Sequence, residues 1–213
     1  MIVALAGWAW AAVPLPSYRE ELVRQRWAEV DEILREGCTT DRFPVACAPG
    51  VVDRAVAHAD TFQDAVTRDP SLEYLVGLAY RYGGREDRAI ERYRAALALA
   101  PDRAEAWYDL GEIYMTRARY AEATDAFEHV RDLVAGTEHG WLGPWRLAEV
   151  AALQHDPIGF ERNIKAALRE GFSFRQVAGQ DNWRGFYADP ALRDTLDKLL
   201  TVYATPEIRD SLR

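Results

Sequence analysis

The sequence predicts an all-α fold, an α-solenoid of antiparallel helix pairs. Two observations lead to this class. First, the middle of the chain matches itself at an offset of 34 residues without a gap, so that Gly77 aligns with Gly111 and Tyr80 with Tyr114. A fixed period of this length indicates stacked supersecondary units rather than one central core. Second, apolar residues in each half of a repeat recur at the three- and four-residue spacing of a helix.

The overall composition is that of an ordinary folded protein. The chain has 213 residues, of which 49% are hydrophobic and 28% charged, and these values exclude disorder over the whole length. Its formal net charge is -8. A general nucleic-acid binder needs a basic surface to neutralise phosphates, so we expect no nucleic-acid partner.

The N-terminus, 1–11, is a signal-peptide-like segment. An uncharged apolar run follows Met1, and Ala9-Trp10-Ala11 fits the small-x-small cleavage rule. The run is shorter than the ~20 residues that a helix needs to cross a bilayer. We therefore expect export to the periplasm or secretion, with no stable membrane span after processing. Because no Lys or Arg precedes the run, the alternative is a cytoplasmic protein that retains the segment as a buried helix.

Residues 17–69 form the next predicted unit, a helix pair with a cysteine loop. Apolar residues at helical spacing predict helices over Ser17–Glu36 and Val51–Arg68. The intervening segment contains Cys38 and Cys47 among glycines and prolines, which indicate a loop.

We expect the two cysteines to form a structural disulfide if the chain is exported, because an oxidising compartment favours that state. The alternatives are two unpaired thiols or a metal site. A metal site would need further ligands, and none lies nearby; the closest histidine is His58. The C-x-x-C spacing of a redox motif is absent.

Residues 70–174 contain the repeats themselves. The first covers 70–103, where Asp69 and Pro70 make a helix cap and first turn. The second covers 104–137. A degenerate third covers 141–174, its register shifted by three extra residues in the preceding turn.

The repeat residues and their spacing resemble the tetratricopeptide repeat. In the second copy the matching residues are Trp107, Leu110, Gly111, Tyr114, Ala123 and Phe127. The resemblance implies a right-handed superhelix in which the small residues allow the two helices of a pair to approach closely. It also implies a protein that binds other proteins. The last segment, 175–213, is similar to the tail that closes many bacterial tetratricopeptide arrays, and we expect it to cover the final apolar face.

The concave groove is the predicted binding surface. In such repeats the second, fifth, ninth and twelfth positions of the first helix face it. The predicted groove residues are Tyr74, Leu78, Arg81, Tyr108, Glu112, Met115, Trp145 and Glu149. Aromatic and acidic side chains together suit a protein or peptide partner that carries Arg or Lys and an apolar anchor. The alternative is that these residues pack against loops or the tail of the same chain.

We found no sequence feature of an enzyme. The four histidines lie on different elements, and none has a partner at metal-ligand spacing. Nucleophile motifs and glycine-rich phosphate loops are also absent. We therefore expect no catalytic residue, metal or cofactor. Two hypotheses remain, an exported binding scaffold and a cytoplasmic adaptor or structural subunit of a larger complex.

Overall fold

The computed structural model describes residues 18–39, 45–65, 68–178 and 182–212. The signal-peptide-like segment 1–11 lies outside the described residues. The helices are α1 (Tyr18–Gly37), α2 (Val51–Ala65), α3 (Pro70–Tyr82), α4 (Glu86–Leu99), α5 (Ala104–Thr116), α6 (Tyr120–Val134), α7 (Leu142–Leu153), α8 (Pro157–Arg169), α9 (Asn182–Ala188), α10 (Pro190–Tyr203) and α11 (Pro206–Leu212). Two short strands, β1 (Cys38–Thr39) and β2 (Ala46–Cys47), join α1 to α2, and a 3-10 turn, Phe174–Gln176, follows α8.

Three helices begin at the same kind of cap. The side chains of Asp69, Asp156 and Asp189 accept hydrogen bonds from backbone N–H groups in the first turns of α3, α8 and α10. A proline follows each aspartate, where its missing N–H costs nothing and its fixed φ suits a helix. These local signals set where the helices start.

The helices stack in sequence order. From α1 to α8 each helix packs against the next one along the chain. The buried apolar side chains accordingly divide into three clusters, centred on α1–α3, on α4–α6 and on α7–α11. The prediction of an all-α helical repeat fold is confirmed.

Close packing within a pair depends on glycine. A Cβ added to Gly77 would lie 2.6 Å from the ring of Tyr93, and one added to Gly111 would lie 2.5 Å from the ring of Phe127. Both glycines therefore occupy the crossing points that the sequence assigned to small residues, and each faces an aromatic ring of the second helix in its pair.

The cysteine loop is a small antiparallel ribbon. Cys38 pairs with Cys47 across the two strands, and their sulfur atoms are at bonding distance, 2.07 Å. Ala48 donates its backbone N–H to the carbonyl of Gly37 at 2.8 Å. The ribbon thereby connects the end of α1 to the start of α2. That the pair is oxidised in the cell stays a prediction.

The C-terminal part of the chain packs onto the α7–α8 pair. Helix α10 lies against α8, and Trp183, Leu192 and Leu196 are fully buried. They share a cluster with Phe160 and Ile164 of α8. The apolar face of α8 is therefore covered by this segment. Within the described ranges, no helix has the length and apolar character needed to cross a membrane.

Candidate partner-binding groove

Four of the predicted groove residues meet at one pocket between α3 and α5, the first helices of consecutive repeats. Its lining includes Tyr74, Leu78 and Arg81 of α3 and Glu112 of α5, and its volume is about 530 Å³. We call it the α3–α5 pocket. Val45, which directly precedes β2, also lines it, so the segment that leads into the disulfide ribbon contributes part of the wall.

The polar side chains of α3 are held by a buried aspartate on α5. Asp109 is only 7% exposed. The hydroxyl of Tyr74 donates to its Oδ2 at 3.0 Å, and Arg81 donates to its Oδ1. The pKa of Asp109 is raised because the carboxylate is buried. The Arg81 guanidinium and the hydrogen bond from the Tyr74 hydroxyl offset part of this shift. These bonds fix the positions of the Tyr74 and Arg81 side chains.

A second polar cluster lies between α5 and α7, around Arg146. Its Nε donates to the hydroxyl of Tyr108 at 2.8 Å, and its guanidinium contacts the carboxylates of Glu112, at 3.1 Å, and Glu149. Burial raises the pKa of Glu112. The Arg146 and Arg81 guanidinium groups oppose this shift, and the neighbouring carboxylates of Glu149 and Asp109 add to it. The cluster contains two carboxylates and one guanidinium, so its formal charge is negative.

Sequence reasoning missed Asp109 and Arg146. Each is the sixth residue of its repeat, where the first repeat has Leu75. Leu75 is buried in the apolar cluster of α1–α3, and the sixth position is not one of the four that the repeat pattern places on the groove. The sequence does contain a signal for these two residues, because each places a charge at a position that is apolar in the first repeat. It indicates a polar contact between adjacent first helices.

The structure corrects the prediction for Trp145. This side chain is 3% exposed. Its ring stacks on Phe172, at a centroid distance of 4.7 Å, and on Trp183 of α9 at 5.4 Å. Trp145 is therefore part of the core beneath the C-terminal segment, as the alternative of packing against the chain's own tail anticipated. It offers no ring to a partner.

The remaining predicted residues lie apart from the pocket. Glu149 is 2% exposed and contacts Arg146, so it too is a buried side chain rather than a free groove carboxylate. Tyr108 and Met115 are partly buried and pack against the core cluster of α4–α6. The predicted groove thus divides into an accessible part at α3 and α5 and a closed part at α7. Among the described residues, no three His, Cys, Asp or Glu side chains come together as a possible metal site.

The repeats match family models. A model described as TPR repeat matches residues 77–116, and one described as tetratricopeptide repeat matches residues 104–130. Residues 77–130 are tetratricopeptide repeats. The pocket-lining residues Leu78, Arg81, Asp109 and Glu112 all lie within the matched segment.

Similarity to curated proteins is confined to part of the chain. The cytochrome c-type biogenesis protein CycH of Pseudomonas aeruginosa is 42% identical over 57 residues, which cover 27% of this chain and 14% of that protein. The human protein O-mannosyl-transferase TMTC1 is 31% identical over 86 residues, 38% of this chain and 10% of that protein. The chain thus spans a small fraction of the length of either relative.

Two solved structures share the fold of this chain. MamA superposes with a TM-score of 0.56 at 19% identity, covering 71% of this chain and 86% of that one. A putative kinesin light chain of Podospora anserina with TPR-like repeats superposes with a TM-score of 0.55 at 13% identity, covering 90% and 91%. At these identities the likeness concerns the fold alone.

Proposed function

We propose that this protein is a non-enzymatic scaffold that holds a protein or peptide partner in the groove formed by its tetratricopeptide repeats. The α3–α5 pocket carries the proposal. Its walls are apolar at Leu78 and Val45, whereas Tyr74 and Arg81 are already fixed by Asp109. Side chains that are ordered in advance lose little entropy on binding, which favours recognition.

The comparisons support this class of function but not a particular partner. Tetratricopeptide repeats are protein-interaction units, and the chain carries them at residues 77–130. The Pseudomonas aeruginosa relative is named a biogenesis protein, which agrees with a scaffold in the assembly of another protein. Since the similarity covers 14% of that relative, it supports no more than a role in assembly.

Export to the periplasm or cell envelope is the second part of the proposal. The signal-peptide-like segment 1–11 and the cysteine pair Cys38–Cys47 both support it. Mass spectrometry of the native protein tests it. We expect loss of the first eleven residues and a mass that shows no free thiol. An intact Met1 with two free thiols would instead favour a cytoplasmic adaptor or a subunit of a larger complex.

The groove is tested by capture with matched variants. Leu78→Glu places a charge on the apolar wall of the α3–α5 pocket, whereas Leu99→Glu makes the same change at a 47% exposed position on α4. Immobilised wild-type protein should retain a partner from an extract of the source cell. The Leu99 variant should retain it equally, and the Leu78 variant should lose it.

Trp145 is unsuited to this test because its removal would open the core. Circular dichroism should show unchanged helicity in both leucine variants. Equal capture by the Leu78 variant, at unchanged helicity, would contradict binding in the groove.

A further inference from the structure

We propose that the α3–α5 pocket takes a basic side chain of the partner, an arginine or a lysine, with Glu112 as the acceptor of its charged group. This inference rests on the proposed function and specifies the chemistry of the partner at one position. The charge of the lining, the state of the Glu112 carboxylate and the apolar part of the wall support it.

The first argument is charge complementarity. Arg146 contacts two carboxylates, Glu112 and Glu149. Arg117 likewise contacts two, Glu86 and Asp87. Glu112 and Glu86 both line the pocket. Each of these clusters therefore carries one negative charge more than its guanidinium neutralises.

The other lining charges do not offset this excess. Arg81 lines the pocket, but it is paired with Asp109, which lines it too. The lining therefore takes one carboxylate from each of two negative clusters, together with the neutral pair Arg81 and Asp109. A cation would lower the electrostatic energy of this arrangement, and an acidic side chain would raise it.

The second argument is the state of Glu112. Its Oε2 accepts a hydrogen bond from Arg146 at 3.1 Å. Its Oε1 is buried and has no hydrogen-bond partner among the described residues. Because Oε1 is closed to solvent in the free protein, a ligand in the pocket reaches it only when the Glu112 carboxylate turns toward the pocket. A guanidinium or ammonium group that donates to it there gains the charge-assisted bond that the chain leaves unmade.

The third argument is the apolar wall. Val45, Leu78 and Ile113 line the pocket together with the carboxylates. Arginine and lysine carry an aliphatic stem below the charged group, and such stems bury against apolar surface while the head reaches a polar partner. A small cation would leave these walls unused. The combination of wall and carboxylate is suited to a basic side chain.

The probe for the experiment is N-acetyl-arginine methylamide, with N-acetyl-citrulline methylamide as its neutral counterpart of nearly the same shape. Both are titrated into ¹⁵N-labelled full-length protein and followed by NMR. We expect saturable shifts of the backbone amides of Leu78, Glu112 and Ile113 with arginine and none at the same concentration of citrulline. Equal shifts with citrulline, or arginine shifts confined to other parts of the chain, would overturn the proposal.

Two glutamine variants locate the acceptor. Glu112→Gln should weaken arginine binding by about tenfold or more, as the loss of a charge-assisted hydrogen bond predicts. Glu138→Gln makes the same charge change at an exposed position after α6 and should bind like the wild type. If both variants weaken binding equally, arginine is attracted by the overall negative charge and not by a contact with Glu112, and the proposal is wrong.

The failure of this inference can be told apart from failure of the proposed function. If Leu78→Glu abolishes partner capture but arginine does not bind, the groove binds a partner of other chemistry. If arginine binds at Glu112 but Leu78→Glu captures normally, the pocket has the proposed ligand preference while the partner is held elsewhere.

Discussion

Arg146 of α7 covers the ring of Tyr108 on α5, with its Cζ 5.2 Å from the ring centroid and its Nε 2.8 Å from the phenol oxygen. The same guanidinium contacts the buried carboxylates of Glu112 and Glu149. One side chain thus connects α5 and α7, the first helices of two consecutive helix pairs.

Replacing Arg146 should destabilise this junction strongly. Arg146→Met takes the guanidinium away from two buried carboxylates, and the loss of one partner from a buried ion pair costs about 3 kcal/mol. The control is Arg131→Met, whose pairs with Glu128 and Asp132 are exposed and should contribute under about 1 kcal/mol. Urea unfolding at neutral pH measures both. Similar unfolding midpoints for the two variants would contradict a structural role for Arg146.

A methyl group at the helix crossing of the second repeat should also be destabilising. The new Cβ in Gly111→Ala would lie 2.5 Å from the ring of Phe127, and overpacking of this kind costs about 1–3 kcal/mol. In Gly185→Ala the Cβ would meet no atom within 4 Å. That control should be neutral or stabilised, because alanine favours a helix by about 0.5–1 kcal/mol over glycine. Thermal unfolding of the two variants should shift in opposite directions or differ clearly in size.

The stability of the protein should depend on pH through Glu112. Its pKa is raised in the folded chain by burial, so ionisation costs more in the folded than in the unfolded state. The stability that this group contributes is present below its unfolded pKa and is lost as the pH rises through its folded pKa.

In the Glu112→Gln variant the side chain does not ionise, so the loss of stability with rising pH does not occur. Relative to the wild type, the variant should therefore gain stability as the pH rises from about 4 to 7, the range above the ordinary pKa of a glutamate. Urea midpoints across this range measure the difference between the two proteins. Parallel curves would mean that Glu112 titrates no differently in the folded and unfolded chain.

Removing the disulfide should destabilise the N-terminal unit. Cys38 and Cys47 are nine residues apart, and closing a loop of that length stabilises by about 2–3 kcal/mol on the chain-entropy model. The double change Cys38→Ser and Cys47→Ser should lower the urea midpoint accordingly. Wild-type protein in a reductant should match the double variant, while the variant itself should not respond. A wild type unaffected by the reductant would mean that the cysteines are not paired in solution.

The sequence by itself determined the repeat architecture. Apolar residues at helical spacing, aspartate–proline caps and the 34-residue match of Gly77 with Gly111 are local or periodic features. Helix limits and close helix crossings follow from such features, because they depend on neighbours within one repeat. The first-helix positions at Tyr74, Leu78, Arg81 and Glu112 were likewise predicted, and the α3–α5 pocket brings them together.

Only the tertiary structure decided which of the groove residues remain accessible. Trp145 and Tyr108 occupy the same position in successive repeats, yet Trp145 is stacked on Trp183 from a helix nearly forty residues later in the chain. The polar contacts of Asp109 and Arg146 form because α5 packs between α3 and α7 in the folded chain. The physical reason is that a repeat pattern fixes the direction of each side chain from its own helix. Burial, ion pairing and the cost of an unsatisfied carboxylate depend on segments that the repeat does not specify.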